Sequence, residues 1–441
     1  MIDDPASGYL LVGTATAVLL VVSLFDRWLL IAVFLVLGVI GNQLQVDLNL
    51  RIDDQSVSPA DLAFTIGAIA AGLRMIGGGR LDRMQILWLG LTIVALVAFI
   101  RGMSSFGFEA AATSYRYWFY LTTGALFVLS FPWGPAQIDR LAGIWLAVAG
   151  ALALIIVVLW IDPDLSPLSE DLAVQQFKYA YENQRVVAAS TAFLLGQAGL
   201  IGLAAWLAAR SVPLIRASGV VFLIMMVLLY HRSVWVAIAA GVVTLIVLKR
   251  GALYRLGVPL TLGLMLLVGS IMLGQGLGRD LIAGQIDSAI DEALDEDSTL
   301  TWRVQGWEVL LGRALDGGPA VWTMGAGFGV GYERRFGEYA TAVSPHNLYI
   351  ELFINTGLLG LGLWLWFQAR ILRLLYAATE FADPDLLDRS TAIALMMTTI
   401  VFCLPYSLSI EQSIWLGALG GLAARAVTAR TPEIAAGARP V

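Results

Sequence analysis

The sequence predicts an all-α polytopic membrane protein of about 12–13 transmembrane helices with one large helical loop outside the membrane. Three observations support this. Of 441 residues, 59% are hydrophobic and 14% charged, and the mean hydropathy is +0.79, outside the range of soluble globular chains. Apolar segments long enough for a ~30 Å hydrocarbon layer recur along the chain. Between Gln275 and Pro345 this recurrence stops, and one long polar segment intervenes.

The expected spans fall near 8–25, 28–45, 58–74, 84–100, 115–132, 141–161, 187–208, 212–230, 233–249, 256–274, 347–369, 390–406 and 410–427. Asp26 and Arg27 divide the first two, so a re-entrant pair stands beside two full spans. No signal peptide is expected: Met1 to Gly8 lacks a basic residue and the apolar run continues into another span. Cys403 is the single cysteine, which excludes an intramolecular disulfide and says nothing of redox compartment. A net charge of −6 argues against nucleic acid as a partner. With no internal repeat or low-complexity linker, residues 1–441 read as one domain.

Basic residues favour the cytoplasmic side of short loops. Placing Arg74, Arg80 and Arg83 inside also places inside Arg140, Arg210, Arg216, Lys249, Arg250, Arg255, Arg370, Arg373, Arg389, Arg425, Arg430 and Arg439. The segment 275–345 is then periplasmic. Its opening "RDLIAGQIDSAIDEALDED" predicts an amphipathic helix, with Ile282, Ile286, Ile290 and Leu294 on one stripe. "TWRVQGWEVLLGRAL" predicts a second helix, and "MGAGFGVGYERR" is too rich in glycine for a helix or strand interior.

Three polar sites on this outer face invite chemistry. His346 lies where a polar loop becomes a hydrophobic helix, with Asn347 beside it and Tyr349 within one turn. An imidazole suits proton transfer near neutrality; a helix-capping or interfacial histidine is the alternative. Arg303 and Trp307 share a helical face at i,i+4 spacing, and a guanidinium fork with an indole suits phosphate and sugar. A solvated arginine on a loop helix is the alternative, and the residues alone favour it slightly. Arg232, beside His231 between two spans, either meets an anion or snorkels to headgroups.

Other motifs carry less. Asp162 and Asp164 in "IDPDLSP" resemble a metal-holding acidic pair but also an ordinary turn. The acidic run from Asp291 to Asp297 lacks calcium-loop spacing. Gly325, Gly327, Gly329 and Gly331 lack the lysine of a nucleotide loop; they suit tight turns and close backbone approach, with N–H groups that can reach a phosphate. Trp302, Trp307, Trp322, Tyr332, Phe336 and Tyr339 suit sugar stacking or interfacial anchoring.

The pattern His346-Asn347, then nine residues, then Gly357-x-x-Gly360 resembles the signature of the O-antigen ligase and polymerase superfamily. Arg232, Arg303 in Arg-x-x-x-Trp, and "GAGFG" precede it in the family's order, and the resemblance is specific over about residues 225–370. Many members carry serine where His231 stands. The resemblance implies a bacterial inner-membrane enzyme of GT-C-like architecture. It would move a glycan from undecaprenyl diphosphate to an acceptor hydroxyl on the periplasmic face, without metal or cofactor. Arg232 and Arg303 would stabilise the diphosphate and His346 would act as base; Arg185, Trp307, Asn347, Tyr349, Gly325 and Gly327 would bind substrate. The implied partners are the lipid-linked donor, a lipid A-core or polysaccharide acceptor, and membrane lipids. The spacing and the single outer loop favour a ligase over a repeat-unit polymerase. A lipid-linked glycan transporter or a non-catalytic assembly partner also stands; a transporter would be expected to carry polar or broken helices at the midplane and often repeated halves.

Overall fold

The computed structural model describes residues 17–43, 50–52, 55–78, 81–162, 186–208, 213–229, 231–251, 299–336, 339–378 and 387–428. The expected span at 256–274, the amphipathic helix from Arg279, and Asp164 and Arg185 lie outside the described residues.

The described chain is helical. Helix α1 covers 17–25; α2 is Arg27–Gln43, α3 Pro59–Gly77, α4 Arg83–Phe106, α5 Phe108–Leu129, α6 Pro135–Ile161, α7 Ala189–Leu207, α8 Pro213–Leu228 and α9 Arg232–Leu248. After the outer segment's α10 (Thr299–Asp316) and α11 (Gly318–Met324) come α12 (Leu348–Ala377), α13 (Arg389–Phe402) and α14 (Gln412–Thr428). Two antiparallel hairpins are the only strands among the described residues: β1 (Leu50–Ile52) with β2 (Gln55–Val57), and β3 (Arg334–Phe336) with β4 (Tyr339–Thr341). The second places Arg334 and Arg335 in a strand, where the glycine-rich run was expected to be irregular. Helices α3, α4, α6, α7 and α12 are long and apolar enough to cross a membrane; α2, α8, α9 and α13 are apolar but shorter.

Capping residues start the helices where the sequence turns apolar. Ser58 with Asp61 and Asp82 with Gln85 form capping boxes, and Asp388 caps α13. Aromatic packing of Trp88, Trp118, Trp364 and Phe367 joins α4, α5 and α12.

The helices alternate between two ends. At one end, Arg27 donates to the Pro132 carbonyl at 2.6 Å and Gln85 to the Leu129 carbonyl at 3.0 Å. Arg74 donates to the Leu24 carbonyl, Lys249 pairs with Asp388, and Asp139 accepts from the Leu387 N–H at 2.7 Å. These bonds bring together basic residues that sequence alternation assigns to one side. The outer segment lies at the other end.

There α12 is two helices in one. Gly357 (φ 66°, ψ −164°) breaks it, in a region open essentially to glycine alone. The break frees carbonyls, which the glycine-rich loop fills: the Ala326 N–H donates to Ile354 O at 2.7 Å and the Gly327 N–H to Asn355 O at 3.2 Å. The Phe328 N–H donates to Ala98 O, and Arg101 donates to the Met324 and Gly325 carbonyls, both at 2.8 Å. A Cβ at Gly357 would lie 2.4 Å from Thr323, and one at Gly325 2.3 Å from Asn355. The helix is thus broken, and the loop itself occupies these two freed carbonyls.

Candidate functional site

Helix α10 lies against the first half of α12, burying Leu310 and Ala314 on Ile350, Phe353 and Ile354. From α10, Trp307 donates its Nε1–H to the Pro345 carbonyl at 2.7 Å, fixing the residue before His346. Among the described residues His346 alone, outside glycine, has positive φ, at 50°; the left-handed region is uncommon for a residue with a side chain. Its neighbours hold it there. The His346 N–H donates to Ser344 Oγ at 3.2 Å, and Asn347 Oδ1 caps α12 by accepting from Tyr349 N and Ile350 N. The Leu348 N–H reaches Cys403 O at 3.0 Å, and Tyr349 donates its hydroxyl to Ile400 O at 2.9 Å.

The imidazole meets the Tyr406 ring edge to face, centroids 6.1 Å apart. The Arg303 guanidinium lies 5.1 Å from the same ring's centre. A second guanidinium, from Arg334, is only 3% exposed, and its Nε and Nη1 have no hydrogen-bond partner. It sits 5.3 Å from the Trp302 ring centre and faces Gly306, where a Cβ would come within 3.0 Å of Nε. Burial pulls its pKa below the usual arginine value. Burial first, then the charges of Arg303 and Arg334, lower His346 to about 4, so the imidazole is neutral at physiological pH.

A cavity of about 920 Å³ is lined in part by Tyr332 and Glu333, just before the strand that carries Arg334, and by Ser344. Glu351 is in its wall, buried, with Ser407 donating to one carboxylate oxygen at 2.6 Å and Ser344 to the other.

Of the residues read from sequence, Arg303 and His346 come together around Tyr406. Arg232 is half-buried at the start of α9, at the same end of the bundle. His231 is buried beside it, with Nε2 2.9 Å from the Val187 carbonyl. Trp307, Asn347 and Tyr349 hold the turn that presents His346. Gly325 and Gly327 pack against α12 and α4, and their N–H groups already donate to Val321 O and Asn355 O, so they are occupied rather than open to phosphate. Asp162 is the C-cap of α6, its N–H donating to the Val158 carbonyl. Among the described residues no three His, Cys, Asp or Glu side chains gather where they could hold a metal.

Sequence reasoning missed Arg334, Tyr406 and Glu351. Glu351 did carry a signal, as an ionisable residue inside an apolar run. Tyr406 sits in "CLPYSLSIEQ", whose hydroxyl, carboxylate and amide groups interrupt the last two spans.

Residues 217–365 match the family model described as O-antigen ligase. No curated protein matches the chain.

Proposed function

From the premise that residues 217–365 are an O-antigen ligase family segment, we propose that this membrane enzyme transfers a glycan from undecaprenyl diphosphate to a hydroxyl of lipid A-core. The observation that carries this reading is a neutral, half-buried imidazole in the field of two guanidiniums, one of them buried with two donor nitrogens unpaired. Arg334 is a buried cation with two unpaired donors, a costly arrangement, and together with Arg303 it suits the charge that a departing diphosphate gains.

In the step proposed, the acceptor hydroxyl oxygen bonds to the anomeric carbon while the glycosyl–phosphate C–O bond breaks. His346 takes the hydroxyl proton, and the bonding electron pair leaves on the diphosphate, held by Arg303 and Arg334 with Arg232 on the same face. Neutrality lets His346 accept the proton, and bound diphosphate offsets the flanking positive charges, making the imidazole a stronger base at the moment of transfer. No metal is needed for the charge. The basic end of the bundle favours a cytoplasmic location; this supports a site on the periplasmic side of the inner membrane, where a lipid-borne diphosphate sits at headgroup depth. The single large outer segment favours a ligase over a polymerase.

The test is to incubate purified protein with undecaprenyl-diphosphate repeat units, with and without lipid A-core, in chelator, and to resolve the products on a gel. A product that requires added core is expected. A ladder made from donor alone would replace the ligase with a polymerase, and no transfer under either condition would overturn the reading.

A further inference from the structure

Resting on the glycosyl-transfer reading, we infer that the 920 Å³ cavity beside Glu351 is the acceptor subsite and takes an uncharged, polyhydroxylated sugar chain. Its volume falls within the usual range for ligand pockets, roughly 300–1,000 Å³.

The charge on its wall selects the ligand. Glu109, Glu333 and Glu351 line it, and no lysine or arginine does. Carboxylates repel phosphate and accept from hydroxyls, so the wall refuses a diphosphate and suits a neutral sugar. Tyr117, Trp118 and Tyr332 add ring surface of the kind that packs against sugar faces. Both Glu351 oxygens already take serine hydroxyls, which fixes the carboxylate's direction and leaves further lone pairs for the ligand.

The chain's own geometry separates this cavity from the cationic site. Glu333 lines the cavity while Arg334, the next residue and the first of β3, is buried against Trp302 and Gly306. These two neighbours meet different surroundings, so one peptide step divides sugar from phosphate. Arg313 holds that step by donating to the Glu333 carbonyl at 2.7 Å. The two compartments meet at His346: Ser344, in the cavity wall, accepts the His346 N–H, and Ser407 follows Tyr406, whose ring faces the imidazole.

The experiment uses the full chain in nanodiscs and two probes, a dephosphorylated core oligosaccharide followed by saturation-transfer NMR and inorganic pyrophosphate followed by calorimetry. Saturable oligosaccharide binding is expected, with at least tenfold loss in Glu351→Gln and in Thr113→Trp, which fills the cavity from an exposed helical position. Pyrophosphate should bind both variants as it binds the wild type and should leave the oligosaccharide signal in place. Oligosaccharide binding that is absent, unchanged in Thr113→Trp, or displaced by pyrophosphate would overturn the proposal. Loss of pyrophosphate binding alone, with the sugar still bound in the cavity, would count against the glycosyl-transfer reading and leave the sugar site standing.

Discussion

Replacing Arg334 with methionine should make the ligand-free protein more stable and a worse enzyme. Arg334 is buried with Nε and Nη1 unpaired, and each buried donor without a partner costs roughly 1–3 kcal/mol. Its placement over Trp302 returns about 0.5–2 kcal/mol. Methionine fills a similar volume without the donors, so the empty fold should gain roughly 1–4 kcal/mol. Against an anion the balance reverses: hydrogen bonds to a charged group contribute about 1.5–3 kcal/mol, and their loss should weaken inorganic pyrophosphate about ten- to a hundredfold. Melting followed by tryptophan fluorescence, with and without pyrophosphate, reads both effects, since Trp302 touches the substituted side chain. A higher melting point without ligand and a smaller ligand-induced rise are expected. A lower melting point with unchanged pyrophosphate affinity would refute the reasoning and make Arg334 a structural cation.

His346→Asn keeps a side chain tolerant of positive φ and removes the base; transfer should fall about 10²- to 10⁴-fold while pyrophosphate affinity changes little, and near-normal turnover would remove the base role. Because His346 in the free protein titrates near 4, kcat/KM should stay level as pH falls from 8 to about 5 and drop as the imidazole gains a proton below that; an inflection near the ordinary histidine value of about 6.5 would contradict the burial and charge argument. Gly357→Ala should destabilise by roughly 1–3 kcal/mol or more, from the strained φ and the approach to Thr323. Gly362→Ala in the same helix meets open space and should be neutral or slightly stabilising; equal melting points for the two would refute the role given to the break.

Much of this was legible in the sequence because hydrophobic length and histidine placement are local signals. "TWRVQGWEVLLGRAL" carries a helical period and forms α10. His346 announces itself at a polarity boundary. Arg334 could not be found that way: in "GYERRF" it is one of two adjacent arginines, and its burial depends on Trp302 and Gly306, some thirty positions earlier. The glycines were legible only in part, for a related reason. A glycine-rich run signals close approach but not what approaches, and here it is the carbonyls of α12 and α4. Gly357 reads as part of a family pattern, while the broken helix behind the pattern is visible only in the backbone.

That break also decides where the chain can be divided. The segment 348–356 is bonded to the loop at 326–327 and packed against α10, so it belongs with the outer segment rather than with the remainder of its own span. A chimaera meant to exchange acceptor preference between two such enzymes should therefore be joined at Gly357, within the span. A junction at the visible start of α12 would part the histidine's turn from the helix that supports it.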